Sequence, residues 1–381
     1  MSAALRCLLL PLTPLYRLGL ALRERRLASG REPVHRLQWS VISIGNLSTG
    51  GAGKTPLTIA LAQVLAARGF AVDVLSRGYG RRSKLPARVD PAGSPDDFGD
   101  EPLLIARAAN VPVYVAPQRY DAGLLAERYP AQPASAPRQV AGLLAKNSRS
   151  QVNAGSEGRG RDHGLSEKGT GFSPYIPSAA EKGALAPEGL HLLDDGFQHR
   201  WLHRDIDILL LNREDLRDRL LPAGNLRETL HAALRAQVIA IPATDRALES
   251  DIRNLGFRGP VWRLHRRMVL PSLDNPVLAF CGIARPDPFF SGLKHSALDI
   301  TACKAFPDHH RYTVRDLDRL AQKARATGAT SFLTTEKDAV RLDGLTSPLP
   351  IATVPLHTEI ENAHVAVDWI LDRLNLLRVS R

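Results

Sequence analysis

The chain has 381 residues, 44% of them apolar and 23% charged, which is the make-up of an ordinary globular protein, and its length favours two domains or one large one. Its three cysteines, Cys7, Cys281 and Cys303, are far apart and show no C-x-x-C spacing, which argues against a disulfide framework or a zinc site and fits a reducing compartment. A formal charge of +11 asks for an anionic partner: nucleic acid, a phosphorylated substrate or an acidic membrane.

Residues 1–40 carry seven Arg against two Glu, close to half of that charge. Apolar runs at 7–12 and 15–22 share the segment and end at Arg23-Glu24-Arg25-Arg26. Pro11, Pro14 and Arg17 interrupt them too often for a membrane span, and Arg17 and the lack of an A-x-A-like site argue against a signal peptide. An apolar stretch abutting a basic cluster predicts an interfacial helix on an anionic leaflet. The competing reading is a helix packed on the domain with a solvated arginine face.

The apolar run 39–44 predicts a buried strand, and 57–68 a helix, with Leu57, Leu61, Val64 and Leu65 at helical spacing. Between them lies Gly45-Asn46-Leu47-Ser48-Thr49-Gly50-Gly51-Ala52-Gly53-Lys54-Thr55-Pro56. Strand, glycine-rich loop, helix is the setting of a phosphate-binding loop. Backbone N–H groups turn inward around phosphate oxygens, Lys54 reaches the β- and γ-phosphates, and the Thr55 hydroxyl is placed for Mg²⁺. Ser48 stands where the usual pattern has its first glycine. Thr49 stands where the partitioning-type ATPases carry a signature lysine.

Residues 71–76 read as a second parallel strand, so that Arg77-Gly78-Tyr79-Gly80-Arg81-Arg82 leaves the sheet end where ligands gather. That segment reads as a flap over the site or as a solvated turn. Asp100 precedes a helix at 103–109 and reads either as its N-terminal acid or as a carboxylate of the site. A strand at 111–116 and a helix from Gln118 and Arg119 to about 128 follow. Composition then changes: 133–187 is rich in Ser, Gly, Ala, Pro and basic residues without periodicity, which predicts a disordered or loosely ordered insertion.

The strand from Leu190 ends in Asp194-Asp195-Gly196-Phe197-Gln198-His199, a carboxylate pair delivered from a strand tip as a P-loop enzyme's Mg²⁺ site requires. After a strand at 205–212, Glu228 reads as a first-turn acid of a helix at 229–235 or as a further metal ligand, with Arg227 aimed at phosphate. From Gln237 the pattern starts afresh, with strands near 238, 261, 277, 332 and 351 and helices near 286–295 and 313–326. These predict a second α/β domain over 236–360, after a nucleotide-binding domain at 41–235, with a closing amphipathic helix at 361–381. Within it, Phe306-Pro307-Asp308-His309-His310-Arg311-Tyr312 reads as a surface loop or a site. Thr334-Thr335-Glu336-Lys337-Asp338-Ala339 reads as a helix cap or a cleft-facing cluster.

Taken in order, I-G-N-L-S-T-G-G-A-G-K-T-P, S-R-G-Y-G-R, G-D-E-P, L-D-D-G-F-Q-H, L-P-A-G-N-L-R-E, F-C-G-I-A-R-P, F-P-D-H-H-R-Y and T-T-E-K-D-A-V-R-L closely resemble the tetraacyldisaccharide 4'-kinases, over most of the chain except 133–187. The resemblance implies two α/β/α domains with largely parallel sheets, the first P-loop NTPase-like, and a membrane-associating N-terminal helix. It implies transfer of the γ-phosphate of ATP, with Mg²⁺, to the 4'-hydroxyl of a tetraacyldisaccharide 1-phosphate, giving lipid IV-A at the cytoplasmic face of the Gram-negative inner membrane.

By the same resemblance, residues 49–56 (Thr49, Gly50, Gly51, Ala52, Gly53, Lys54, Thr55, Pro56) hold the nucleotide. Thr55, Asp194, Asp195, Gln198 and Glu228 serve the metal and nucleotide site. Asp100 is the catalytic carboxylate, His309 its partner across the cleft, and Lys54 a stabiliser of the transferred group. Arg77, Arg119 and Arg227 are phosphate or head-group contacts, and 77–82 a hairpin lid. Two other readings compete. A P-loop ATPase switch lacks its lysine at Thr49 and has no need of an acceptor-side carboxylate. A nucleic-acid binder rests on charge alone, with no recognition motif or stacking platform.

Overall fold

The computed structural model describes residues 6, 8–130, 189–273 and 275–379. The predicted insertion at 133–187 lies outside them. After helix α1 (Thr13–Ala28), eight strands in succession build most of a first sheet. They are β1 (Ser40–Asn46), β2 (Val72–Ser76), β3 (Ala87–Arg88), β4 (Val113–Val115), β5 (Leu190–Asp194), β6 (Ile206–Leu210), β7 (Val238–Pro242) and β8 (Val261–Met268). The chain then leaves for a second sheet, β9 (Val277–Cys281), β10 (Ile300–Ala305), β11 (Ser331–Thr335) and β12 (Ile351–Val354), and returns with β13 (Leu356–Ile360). The first sheet runs β13-β8-β7-β6-β1-β5-β2-β4-β3, parallel except at its two edges, and the second runs β10-β9-β11-β12, parallel throughout.

Parallel strands covered on both faces are apolar along their whole length rather than at alternate positions. Every residue of β1, β2, β5 and β6 is accordingly buried. On one face lie α2 (Lys54–Ala67) and α3 (Asp100–Ala109), where Leu57, Leu61 and Leu65 meet Leu103, Ala106, Val367, Ile370 and Leu374 in one core. The last three residues belong to the closing helix, so that helix packs back on the first sheet. The other face is covered by α4 (Arg119–Arg128) and α5 (Ala247–Asn254). In the second sheet, α6 (Pro286–Lys294) covers one side and α7 (Val314–Thr327) the other. Helix α8 (Glu336–Arg341) leaves β11 toward α3, and α9 (Ala363–Val379) ends the chain.

The expected partition of strands needs one correction. The strands at Val238 and Val261 extend the first sheet, β7 pairing with β6 through Ile208 and Val238 and β8 pairing with β7 through Ile239 and Val261. The second sheet begins only at Val277. A restart of the hydrophobic pattern marks a new strand, but which sheet takes it depends on which edge is free. The helix expected at 229–235 is present as a 3-10 helix, Leu230–Arg235.

Helix α1 is turned inside out relative to a core helix. Leu15, Leu18 and Leu22 are exposed, Leu15 by 68%, and none of its residues is buried. Its polar groups make the attachment. The Tyr16 hydroxyl donates to the carbonyl of Arg227 at 2.9 Å, Arg23 donates to the carbonyl of Gln198, and Glu24 pairs with Arg200. Among the described residues no helix is long and apolar enough to cross a membrane.

Candidate active site

The C-terminal ends of β1, β5 and β6 open on one side of the first sheet, and the loop after β1 turns there into α2. Gly50 and Gly53 both adopt φ of +90°, a left-handed conformation that glycine enters without strain. Ser48, the departure from the usual pattern, is not at a position that needs that freedom. It bridges Leu226 in extended backbone, and its hydroxyl accepts from the Asn46 side chain at 3.2 Å. Lys54 at the helix start donates to the Asn46 side-chain oxygen at 2.9 Å and lies 3.5 Å from Asp195. Thr55, next along, opens the same helix.

Asp194 closes β5, in register beside Ile44 of β1, and Asp195 follows it in left-handed backbone at φ +50°. Arg227 grips Asp195 with two nitrogens, at 3.1 and 3.0 Å, and also donates to the Asn46 side chain at 2.6 Å. Burial alone would raise Asp195, but Lys54 and Arg227 hold it well below the usual carboxylate range. Asp194 goes the other way. Burial, then Glu101 and Asp195, raise it, and its bond to the Thr58 hydroxyl, 3.3 Å, is long. Two adjacent carboxylates thus sit in opposed electrostatic states, one neutralised by cations and one short of them.

Gln198 donates through Nε2 to the Asn46 carbonyl, while its buried Oε1 finds no partner among the described residues. Arg119 is buried with Nε unpartnered; burial lowers its pKa, with Asp195 and Asp194 opposing and Arg77 adding to the fall. Arg119 therefore faces the acid pair, with Arg77 close enough to lower its pKa further. Glu228 pairs through Oε2 with Arg235 at 2.7 Å, while its buried Oε1 finds no partner among the described residues. No three His, Cys, Asp or Glu side chains among the described residues converge as a cation cage. A P-loop Mg²⁺ does not need one, since one or two protein oxygens complete a shell of phosphate oxygens and water. Asp194, Asp195, Thr55 and the unpartnered oxygens of Gln198 and Glu228 are donors of the kind that requirement names.

The second sheet supplies the opposing side. Asp100 starts α3, and its Oδ2 accepts from His309 Nδ1 at 3.0 Å and from Arg341 Nε at 2.7 Å, while Oδ1 accepts from the Glu101 amide at 3.0 Å. Burial works against ionisation here too, but His309, Arg341 and Lys337 together hold the Asp100 carboxyl far below its ordinary range. His309 is itself in left-handed backbone, φ +56°, with its amide donating to Gly282 O at 3.2 Å and Asp308 at 3.0 Å. Lys337 donates to Glu101 at 2.8 Å.

The Thr335 hydroxyl caps α8 by accepting from the Asp338 amide at 3.1 Å, and the same helix presents Lys337 and Arg341 to Asp100 and Glu101. Asp338, fully buried, accepts from the Gly282 amide at 3.0 Å, Tyr312 at 3.1 Å and Arg341 at 3.1 Å, which fixes the arginine. Arg341, Lys337 and Arg266 were not among the expected site residues. Arg266, on β8, donates to the carbonyl of Ala52 at 2.8 Å inside the glycine-rich loop. The available signal for Lys337 and Arg341 was their i, i+4 spacing on a helix leaving a strand's C-terminal end. Arg266 carried no signal.

Asp100, His309 and Arg341 therefore gather where the two sheets meet, and Lys54, Asp194, Asp195, Gln198, Arg77, Arg119 and Arg227 gather at the C-terminal ends of the first sheet. The family model described as tetraacyldisaccharide-1-P 4'-kinase matches residues 5–137 and 175–375. A tetraacyldisaccharide 4'-kinase of Koribacter versatilis is 37% identical over 95% of this chain and 97% of its own, and one of Parvibaculum lavamentivorans 36% identical over 88% and 81%. The crystal structure of the "apo" form of LpxK from Aquifex aeolicus in complex with ATP superposes with a TM-score of 0.66 at 28% identity, over 97% of this chain and 99% of that one. The chain belongs to the tetraacyldisaccharide-1-P 4'-kinase family and is a kinase.

Proposed function

We propose that the protein transfers the γ-phosphate of ATP to the 4'-hydroxyl of a tetraacyldisaccharide 1-phosphate, the step that yields lipid IV-A in lipid A biosynthesis. The observation that carries this reading is the carboxylate of Asp100, held ionised by His309 and Arg341 at the start of a helix packed on the one that the phosphate-binding loop opens. The loop amides from Gly50 to Thr55 and Lys54 hold the phosphates, and binding them releases Lys54 from Asn46 and Asp195. Thr55, Asp194, Asp195, Gln198 and Glu228 would hold Mg²⁺, which supplies charge neutralisation on the phosphate oxygens.

Asp100 accepts the proton of the attacking hydroxyl. Its low basicity suits a loose transition state, in which the proton leaves late and positioning outweighs base strength. His309 Nδ1 and Arg341 fix which carboxylate oxygen faces the acceptor. Arg77, Arg119 and Arg227 supply the remaining positive charge around the transferring group. The division of labour follows the sheets: residues 41–268 with 356–379 carry the nucleotide, and 277–354 bring His309 and Arg341 to the acceptor side.

The outward leucines of α1 beside a cluster of arginines support attachment to an anionic membrane surface, at the cytoplasmic face where ATP is available. Transfer of radiolabelled γ-phosphate to a tetraacyldisaccharide 1-phosphate in detergent micelles tests the reaction. ATP hydrolysis without a phosphorylated lipid would replace it by a nucleotide-dependent switch. Removing residues 1–27 should shift the protein from the membrane to the soluble fraction, and unchanged sedimentation with membranes would place the attachment elsewhere.

A further inference from the structure

Arg81 is left unexplained by the site as built so far. The residue is 5% exposed, and its Nε, Nη1 and Nη2 all lack a hydrogen-bond partner among the described residues. A guanidinium carries five donors and a charge that it does not surrender, so burying it unmatched is strongly unfavourable. The nearby carboxylates are already engaged. Asp96 accepts from Arg82 at 2.6 Å, Asp97 from Ser94 at 2.7 Å, Asp100 from His309 and Arg341, and Glu101 from Lys337. Burial draws the Arg81 pKa down, with no carboxylate lifting it back. Nor is it stacked on a ring: the cation–ring contacts among the described residues belong to Arg23, Arg235, Arg253 and Lys304.

Its position is close to the reacting groups. A Cβ on Gly78 would lie 3.0 Å from Arg81 Nε and 3.0 Å from the carbonyl oxygen of Phe98, two residues before Asp100. A Cβ on Gly99 would lie 3.0 Å from the Tyr79 carbonyl oxygen and 3.1 Å from Gly78 Cα. The turn at 78–81 is thus seated on the start of α3. On its other side Tyr79 stands edge-on to His309, ring centres 5.6 Å apart, and the Gly80 carbonyl accepts from Arg311 at 3.1 Å. A buried, uncompensated cation lies inside a turn wedged between Asp100 and the loop that carries His309.

We infer that Arg81 binds a phosphate oxyanion of the reactants, its planar fork taking two oxygens of one phosphate group beside Asp100. This rests on the phosphoryl-transfer reading and adds a residue to it. Two phosphates fit the chemistry, the nucleotide's terminal group and the phosphate that the acceptor already carries. Either would balance the charge and fix the turn against α3.

The test compares full-length wild type, Arg81→Gln and Arg81→Lys in detergent micelles. KM for ATP and KM for acceptor are measured with the monophosphorylated disaccharide and with one stripped of its phosphate. Arg81→Gln should lose about tenfold or more in kcat/KM, the scale of one lost charge-assisted contact, and Arg81→Lys should recover part of it. A raised ATP KM with both acceptors assigns the nucleotide phosphate. A raised acceptor KM seen only with the monophosphorylated form assigns the acceptor's. Variants within twofold of wild type in every constant, or a fall in kcat alone with both KM values unchanged, overturn the inference. Should Arg81→Gln melt far below wild type, Arg81→Lys decides on the same constants. If the wild-type chain transfers no phosphate, the kinase reading fails, and ATP titration then decides: equal Kd for wild type and Arg81→Gln overturns the role of Arg81.

Discussion

Lys54 and Asp195 reach each other from neighbouring strand ends of a single sheet, with Arg227 held beside them by the bridge of Leu226 to Ser48, whereas Asp100 meets His309 and Arg341 only where two sheets face each other. The first group is fixed by parallel pairing and needs nothing from the second sheet for its geometry. The second exists only in that relative placement, with partners that are 209 and 241 residues apart in the chain. Donor binding is thus built in, while acceptor activation is assembled. An enzyme so arranged can hold ATP without the proton acceptor being aligned.

The largest test of that contrast is Lys54→Ala. It removes the cation nearest the transferring group and should lower kcat/KM by about a thousandfold, with ATP affinity also reduced. A loss below tenfold would mean that the loop is not the donor site. Next come Asp100→Ala and His309→Ala. Each should lower kcat by about a hundredfold or more while moving the ATP KM little. The double variant should be scarcely worse than Asp100→Ala alone if the pair acts as one unit, and additive losses would separate the two roles.

Arg341→Met should produce a shift rather than a collapse. Asp100 must be ionised to accept a proton, so activity falls as pH drops through its pKa. Arg341 and His309 hold that value far down, and without Arg341 it rises. The acid limb of the kcat profile should therefore move to higher pH, and an unmoved limb would remove Arg341 from the tuning of Asp100.

The smallest effect belongs to a region outside both groups. Buried His191 meets Asp73 at 2.7 Å; burial pushes its pKa down, but Asp73 and Glu127 overcome that and lift it to about 9. A raised pKa contributes stability that is complete below the ordinary value of 6.5 and is lost as pH rises through about 9. Denaturant unfolding should show a loss on the order of 3 kcal/mol across that window, flattened in His191→Gln, with kcat unaffected. A flat wild-type profile would assign the charge elsewhere.

Legibility in the sequence follows the same division. The loop at Lys54 and the acid pair at Asp194 are contiguous strings on strand ends, so local pattern placed them. Asp100 and His309 read locally as a helix acid and a loop histidine, and only their resemblance to a known set of motifs paired them. Arg341 and Lys337 escape notice because their i, i+4 spacing lies in a helix of about one and a half turns, and their partners Asp100 and Glu101 are 241 and 236 residues away in the chain. Strand β13 was missed because Leu356, His357 and Glu359 face solvent while Thr358 and Ile360 are buried, an edge-strand pattern with little apolar content. The strands at Val238 and Val261 were recognised but put in the wrong sheet, since pairing partners are a property of the assembled fold.

The antiparallel pairing of β8 with β13 places Met268 beside Leu356. The second sheet is therefore a graft set into a hairpin: its two attachment points are neighbours in the same ladder, hydrogen-bonded to each other rather than strung on separate linkers. Such a stem fixes where the graft leaves the larger sheet, and with it the placement of His309 and Arg341 against Asp100. It also makes the graft removable in principle, because a short turn from 268 to 356 would seal the hairpin and leave every strand of the larger sheet with its partners.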